Sequence, residues 1–121
     1  MKIVNLKYNE FEQFVRNHPL RNYYQSVAYG TLMSNFGFKP LYIGFVHESK
    51  LVGASLILHV PIFMGFKYGY APHGILLNYN DYQLIPDAVK KLKSYLFRQS
   101  FLILKIDPLI IKSTRNKDGN I

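Results

Sequence analysis

Residues 41–61 read Leu-Tyr-Ile-Gly-Phe-Val-His-Glu-Ser-Lys-Leu-Val-Gly-Ala-Ser-Leu-Ile-Leu-His-Val-Pro, and residues 66–77 read Phe-Lys-Tyr-Gly-Tyr-Ala-Pro-His-Gly-Ile-Leu-Leu. Three runs rich in β-branched, aromatic and aliphatic residues are separated here by short turn-forming clusters, His47–Lys50 and Phe63–Gly65. This pattern is typical of consecutive β-hairpins. The middle run is the most continuously apolar, so it predicts a central strand covered on both faces. Pro61 has no amide hydrogen to donate, which places it at the end of that strand.

The segments before this meander predict one strand and two helices. Lys2–Leu6 reads as a short first strand. Asn9 followed three residues later by Glu12 resembles a capping box, and the helix that it starts should end near Asn17. Gln25-Ser26 is the next start signal, and Gly37 is a natural end for a second helix of about ten residues.

The segments after the meander predict a long helix and a last strand. Asn78–Asp81 is a turn and N-cap cluster, and the helix should end near Arg98. Its apolar stripe is formed by Ile85, Ala88, Val89, Leu92 and Leu96. Phe101–Ile106 then reads as a buried strand that should lie parallel to Tyr68–Ala71. The predicted fold class is α+β, a mixed sheet with a central antiparallel meander, one parallel βαβ crossover and flanking helices.

Composition limits the kind of protein. A chain of 121 residues with 49% hydrophobic residues is long enough for one domain with a core. It has no cysteine and no apolar stretch long enough to span a bilayer, and its first residues do not read as a secretory leader, so we expect a soluble, cytoplasmic domain. The net charge of +8 either favours an anionic partner, such as nucleic acid, a membrane surface or a phosphorylated substrate, or serves solubility alone. Neither a metal nor a cofactor is expected, because no ligand spacing or phosphate-binding loop is present.

Two places could carry a binding site. The run Tyr68-Gly-Tyr-Ala-Pro-His-Gly74 combines glycines, aromatic rings and an imidazole at a strand end, where backbone could approach a ligand. Asp107 stands at the carboxyl end of a predicted parallel strand, where ligands of open α/β sheets bind. The alternatives are an irregular strand end with packed tyrosines, and an Asp-Pro pair that only terminates the strand.

Four segments, in order along the chain, carry a family resemblance. They are His18-Pro-Leu20 with Asn22-Tyr-Tyr-Gln-Ser26 and Tyr29; Lys50-Leu-Val-Gly-Ala54 with Pro61; Tyr70-Ala-Pro-His-Gly-Ile-Leu-Leu-Asn-Tyr-Asn-Asp81; and Leu104-Lys-Ile-Asp-Pro108. Each segment is weak alone, and their ordered spacing is more specific. Together they resemble the start of the FemABX-type peptidoglycan bridge-forming aminoacyltransferases, which are built from two GNAT-like subdomains. The resemblance implies that residues 1–108 form most of the first subdomain.

The resemblance also implies a reaction and its partners. Such enzymes transfer an amino acid from aminoacyl-tRNA to the stem peptide of a lipid-linked or UDP-linked peptidoglycan precursor. Tyr70, Lys105 and Asp107 match family residues in or near the precursor cleft, and His73 stands where an Arg or Lys is usual. No catalytic residue is assigned, and the chain alone is expected to be inactive, because much of the reaction site belongs to the second subdomain. Met33 stands where some members have a lysine that contacts the precursor.

Two other functions remain open, and the end of the chain carries a separate expectation. A basic RNA-binding module would use exposed tyrosines. A small-molecule GNAT acetyltransferase is disfavoured, because no Gly-rich pyrophosphate loop is evident in residues 72–81. Residues 109–121 read as a polar tail or linker. We expect this segment to mark the point at which a longer protein has been truncated. Further expected partners are a membrane surface and a second copy of the chain, paired through the edge of the last strand.

Overall fold

The computed structural model describes residues 1–107, which form a five-stranded mixed sheet and three helices. The elements in chain order are β1 (Lys2–Asn5), α1 (Tyr8–Arg16), α2 (Val27–Ser34), β2 (Lys39–His47), β3 (Lys50–Pro61), β4 (Lys67–Pro72), α3 (Leu84–Arg98) and β5 (Phe101–Asp107). The strand order is β1-β2-β3-β4-β5, so the predicted central strand is the third of five. The polar tail or linker predicted for residues 109–121 lies outside the described residues.

The pairing of the strands confirms the predicted mixed sheet. β1, β2, β3 and β4 pair antiparallel in succession, and β5 pairs parallel with β4. The parallel register places Tyr70 opposite Lys105 and Pro72 opposite Asp107. Because parallel neighbours need a crossover, the long helix α3 connects these two strands as the sequence pattern predicts.

The predicted cover on both faces of the sheet is also present. One buried cluster joins α3 to the sheet, with Leu92 and Leu96 packed near Ile43 and Ile57. The other joins α1 to the opposite face through Phe11, Val15, Leu56 and Leu58, and partly buried α2 side chains complete it. Neighbouring residues Leu56 and Ile57 therefore point to opposite faces and are both fully buried. This burial explains why β3 lacks the polar alternation of a half-exposed strand.

The start of α1 differs from the prediction. The helix begins at Tyr8 with Lys7 as its N-cap, two residues before the expected cap Asn9. The Glu10 carboxylate accepts from the Lys7 amide at 2.8 Å, which is the bond that Glu12 was expected to provide. The Asn9 side chain instead accepts from the amide of Glu10 at 3.0 Å. The Asn-x-x-Glu spacing was therefore wrong as a capping box, because another carboxylate closes the first turn.

The limits of α2 follow the sequence signals closely. Ser26 is the N-cap, and its hydroxyl accepts from the Tyr29 amide at 3.1 Å. The helix ends at Ser34, and Gly37 adopts a φ of 93° in the loop that follows. That left-handed backbone favours glycine.

Among residues 1–107, no helix is both long and apolar enough to cross a membrane.

The third apolar run does not remain a strand along its whole length. β4 pairs with β3 only from Leu58 to Pro61, and β4 ends at Pro72. The chain returns to β3 at Leu76, which exchanges two backbone hydrogen bonds with Ala54 at 2.9 and 3.1 Å. Between these two contacts, the backbone of Leu56 faces a gap in the ladder.

The side chain of Gln25 fills that gap. Its Oε1 accepts from the Leu56 amide at 2.8 Å, and its Nε2 donates to the carbonyls of Leu56 at 3.2 Å and Pro72 at 2.9 Å. Gln25 is fully buried. One amide side chain thus takes the place of a missing strand residue and joins β3 to the departing end of β4.

His59 occupies a basic, aromatic environment near the other end of β3. Its ring lies 5.6 Å from the ring of Phe101, and Lys67 Nζ lies 5.3 Å from the same Phe101 ring. Burial lowers the pKa of His59, and the nearby Lys67 and Lys39 lower it further. The folded state therefore favours the neutral imidazole.

We expect Gln25→Met to destabilise the fold by about 3 kcal/mol, because the buried Leu56 amide and Pro72 carbonyl lose their partner. Urea unfolding measures this loss. Gln13→Met, at an exposed position of α1, is the matched control and should change the free energy of unfolding by less than about 0.5 kcal/mol. Equal stability of the two variants would contradict the bridging role of Gln25.

We expect the free energy of unfolding to fall as the pH drops below about 6.5, the ordinary pKa of histidine. The unfolded chain binds a proton at His59 more readily than the folded chain, so stability is greatest above that pKa and is lost on acidification. Urea unfolding between pH 5.5 and 8 should show a weaker pH dependence for Lys39→Gln. Lys50→Gln, at the opposite end of β3, should keep the pH dependence of the unmodified chain.

Candidate functional site

The candidate site lies at the carboxyl ends of the parallel strands β4 and β5, where β4 departs from β3. Open sheets bind ligands at such ends because the diverging backbone leaves room there. Tyr70 lies in β4, Lys105 and Asp107 lie in β5, and His73 follows directly after β4. All four predicted residues therefore lie within a few positions of the carboxyl ends of β4 and β5.

Tyr70 and Lys105 form a direct contact. They are register partners across β4 and β5, and Lys105 Nζ lies 5.5 Å from the centre of the Tyr70 ring. Tyr70 also stands opposite Leu58, whose side chain packs in the cluster under α1, so the pair occupies the α1 side of the sheet. The lysine side chain is exposed while the tyrosine ring is half-buried. A cation held over a ring in this way is oriented, and it keeps its N–H groups toward solvent for an anion.

His73 contacts an aromatic group contributed by α2 and the segment before it. Its ring lies 4.8 Å from the ring of Tyr24. Tyr24 in turn lies 5.7 Å from Tyr23 and 5.1 Å from Tyr29, which completes a tyrosine cluster of Tyr23, Tyr24 and Tyr29. Asn22 Nδ2 donates to the carbonyl of His73 at 3.3 Å. The structure therefore forms two pairs at this end, Tyr70 with Lys105 and His73 with Tyr24.

The position of His73 is set by Gln25 and Gly74. A Cβ atom added at Gly74 would lie 2.8 Å from Gln25 Nε2 and 3.0 Å from the hydroxyl oxygen of Ser55. Glycine is therefore the residue that lets the chain pass close to the buried amide. His73 itself adopts a φ of 49°, in the left-handed region. The bridge that joins β3 to β4 also positions the loop that carries the predicted imidazole.

Asp107 is the last described residue of β5 and stands opposite Pro72. Its predicted place at the carboxyl end of a parallel strand is thus correct for the backbone. Met33, which the resemblance places where some family members have a lysine, packs partly buried against the cluster under α1. A thioether there serves the core and supplies no charge.

A cavity of about 430 Å³ lies beside this end of the sheet. It is lined by the end of α1 and by the segment before α3, in particular His18, Leu77, Asn78 and Tyr79. His18 Nδ1 accepts from the Leu20 amide at 3.0 Å, and burial lowers the pKa of His18. The Tyr79 hydroxyl donates to the Ile75 carbonyl at 2.6 Å, which fixes the wall of the cavity.

Sequence reasoning missed these wall residues and Tyr24 as site candidates. The sequence did contain a signal for Tyr24. Tyr23 and Tyr24 are adjacent in a segment that lacks helical or strand periodicity, so at least one of the two rings is expected at the surface. The cavity had no such signal, since its walls come from segments about sixty residues apart. Within residues 1–107, no group of three or more His, Cys, Asp or Glu side chains could hold a metal ion.

Comparisons with known proteins give the chain its context. The sequence model of the FemAB family matches residues 6–121. Aminoacyltransferase FemA of Staphylococcus aureus strain MW2 is 29% identical over 122 aligned positions, which cover all of this chain and 29% of FemA. The chain thus spans less than a third of the length of the curated relatives that it matches.

Two solved structures share the fold. A crystal structure of FemX superposes with a TM-score of 0.73 at 17% identity, over 89% of this chain and 27% of FemX. A ribosomal-protein-alanine N-acetyltransferase from Brucella melitensis biovar Abortus 2308 superposes with a TM-score of 0.55 at 15% identity, over 99% of this chain and 90% of that structure. The GNAT-like fold expected from the sequence is thereby confirmed.

We expect His73→Val to be less stable than His73→Asn by about 1–2 kcal/mol, because a β-branched residue is strained at positive φ whereas asparagine tolerates it. Both variants lose the ring contact with Tyr24, so their difference isolates the backbone. Thermal and urea unfolding provide the measurement. Equal stabilities would mean that His73 does not hold a left-handed backbone.

Proposed function

The chain belongs to the FemAB family, and from this we propose that it is the N-terminal part of an aminoacyltransferase of cell-wall bridge synthesis. The single observation that carries the proposal is the family match over residues 6–121. The proposed reaction moves an amino acid from aminoacyl-tRNA to the stem peptide of a lipid-linked or UDP-linked peptidoglycan precursor. We place it in the cytoplasm, where charged tRNA is available.

The chemistry of this reaction demands positioning above all. The neutral amine of the stem peptide attacks the ester carbonyl of the aminoacyl-tRNA, an amide bond forms, and the ribose hydroxyl leaves. The amine gives up a proton and the leaving oxygen gains one. Holding the two substrates at reacting distance supplies much of the acceleration in such a transfer. We propose that this part of the protein holds the precursor, and we expect residues 1–121 alone not to carry out transfer.

The candidate site supports precursor binding by its charge and shape. Lys105 presents an oriented ammonium group at the carboxyl edge of the sheet, and the diphosphate of the precursor is a complementary anion. The ring of Tyr70 orients that lysine, and His73 forms a second pair with Tyr24 at the same end of the sheet. We propose Tyr70, His73, Lys105 and Asp107 as the residues that bind the precursor.

The alternative functions predict other ligands. An RNA-binding module would use the exposed rings of Tyr23 and Tyr24, which can stack on bases. The superposition with an N-acetyltransferase concerns the fold alone, so it does not favour an acetyl donor. The three readings are distinguished by whether the chain binds the precursor, RNA or acetyl-coenzyme A.

We expect the chain to bind a UDP-linked muropeptide, and Lys105→Gln to weaken this binding about five- to tenfold through loss of a charge-assisted hydrogen bond. Isothermal titration calorimetry measures the affinity. Lys91→Gln, on the exposed face of α3, removes the same charge and should leave the affinity within about twofold.

Titrations with transfer RNA and with acetyl-coenzyme A complete the experiment. Precursor binding that responds equally to Lys105→Gln and Lys91→Gln would contradict the proposed site. Binding of RNA or acetyl-coenzyme A in the absence of any precursor binding would replace the proposed function with the corresponding alternative.

A further inference from the structure

Three chain reversals meet at the end of the sheet opposite the candidate site. They are the α2–β2 loop (35–38), the β3–β4 turn (62–66) and the α3–β5 turn (99–100). Lys39 at the start of β2 pairs with His59, and Pro61 at the end of β3 pairs with Lys67. The Lys67 amide donates to the Ser100 carbonyl at 2.9 Å, which brings the third reversal alongside.

This end exposes an unusual amount of apolar surface. Met64 is 86% exposed, Phe97 83% and Phe36 69%. We define the hydrophobic end by its exposed large apolar side chains: Phe36, Ile62, Phe63, Met64, Phe66, Phe97 and Leu102. Single exposed apolar residues are ordinary, whereas a group from three separate reversals marks an interaction surface.

The turn that carries the middle of this surface has a defined geometry. The Ile62 amide donates to the Phe66 carbonyl at 2.9 Å, and the Phe66 amide donates to the Phe63 carbonyl at 2.8 Å. Met64 and Gly65 take up the reversal with φ values of 53° and 83°. The rings of Phe63 and Phe66 lie 5.9 Å apart. The apolar side chains are therefore presented by a hydrogen-bonded turn, which lowers the entropy cost of binding.

The charges around the hydrophobic end are all of one sign within residues 1–107. Lys39 and Lys67 lie close enough to His59 to lower its pKa, and Arg98 is the last residue of α3, next to the α3–β5 turn. The acidic residues of the described chain lie away from this end: Glu10 and Glu12 in α1, Glu48 in the β2–β3 turn, Asp81 before α3, Asp87 in the first turn of α3, and Asp107 at the carboxyl end of β5. An anionic partner therefore meets attraction at this end.

We propose that the hydrophobic end docks the protein on the surface of an anionic lipid bilayer. Aromatic and aliphatic side chains enter the interface between headgroups and acyl chains, while the flanking cations bind the lipid phosphates. RNA fits this surface less well, because Ile62, Met64 and Leu102 have no ring to stack on a base and no hydrogen bond to offer. The proposed precursor-binding site lies at the opposite end of the sheet, so the docking surface is separate from it.

The test measures how the full 121-residue chain partitions onto vesicles. We use phosphatidylcholine vesicles with and without one quarter phosphatidylglycerol, and co-sedimentation gives the bound fraction. The unmodified chain should bind the anionic vesicles and lose binding when phosphatidylglycerol is left out. Phe63→Ser with Met64→Ser should weaken partitioning about tenfold or more, because two apolar side chains no longer leave water.

Matched variants separate this surface from general charge and hydrophobicity. Tyr82→Ser, which removes an 81% exposed ring at the opposite end of the sheet, should leave binding unchanged. Lys39→Gln with Arg98→Gln should weaken binding about tenfold or more, since each cation near an anionic surface contributes about fivefold. Lys90→Gln with Lys91→Gln removes the same net charge from α3 and should have a much smaller effect. Thermal unfolding verifies that each variant is folded.

Several results would overturn the proposal. The first is an unmodified chain that binds neither kind of vesicle, and the second is binding that Phe63→Ser with Met64→Ser leaves intact. A self-association detected by sedimentation velocity and abolished by that double variant, without vesicle binding, would assign the hydrophobic end to a second copy of the chain. An RNA affinity lost in the same variant, again without vesicle binding, would assign it to nucleic acid.

Discussion

A single buried amide resolves the main conflict in this sheet. Along one side of the central strand β3, the partner strand β4 pairs with only part of its length. A backbone group that is buried without a hydrogen-bond partner destabilises the fold. Leu58 is paired by β4 and Ala54 by Leu76, and the Leu56 groups between them are satisfied by Gln25. Without this side chain, β4 could part from β3 only by leaving buried polar atoms unsatisfied. The amide group suits this place because it both donates and accepts.

The candidate site is a consequence of that departure. Because β4 leaves β3, its carboxyl end is free to carry His73 toward Tyr24 while Tyr70 remains paired with Lys105 on β5. Gly74 is the residue that allows the chain to turn past Gln25. The same interaction that completes the core therefore helps to place the imidazole of His73 beside the ring of Tyr24. In the proposed function, Tyr70, His73 and Lys105 bind the anionic precursor.

The two ends of the sheet differ in chemistry. The carboxyl ends of β4 and β5 combine polar and aromatic groups beside a cavity, which is typical of a small-molecule site. The opposite end combines exposed apolar side chains with lysine and arginine, which is typical of a membrane interface. A precursor that carries a lipid anchor would make such an arrangement useful, because docking at one end leaves the other accessible. Both ends are connected by the same rigid strands, so their relative position is set by the fold.

The sequence by itself determined the kind and order of the elements, because periodicity and turn residues act locally. The apolar continuity of residues 50–61 identified the central strand, Ser26 identified the start of α2, and the stripe from Ile85 to Leu96 identified the long helix between parallel strands. Local patterns failed where two signals competed, as at Asn9, where Glu10 closed the first turn of α1 instead of Glu12.

The tertiary structure alone decided the contacts that cross long distances in the chain. No local pattern could show that Gln25 would bond to Leu56 and Pro72, because its neighbours in sequence indicate only a helix start. The pairing of His73 with Tyr24 and the meeting of three reversals at the hydrophobic end have the same origin. Such contacts depend on how the strands are placed in space, and that placement follows from the burial of both faces of β3 and the satisfaction of its backbone.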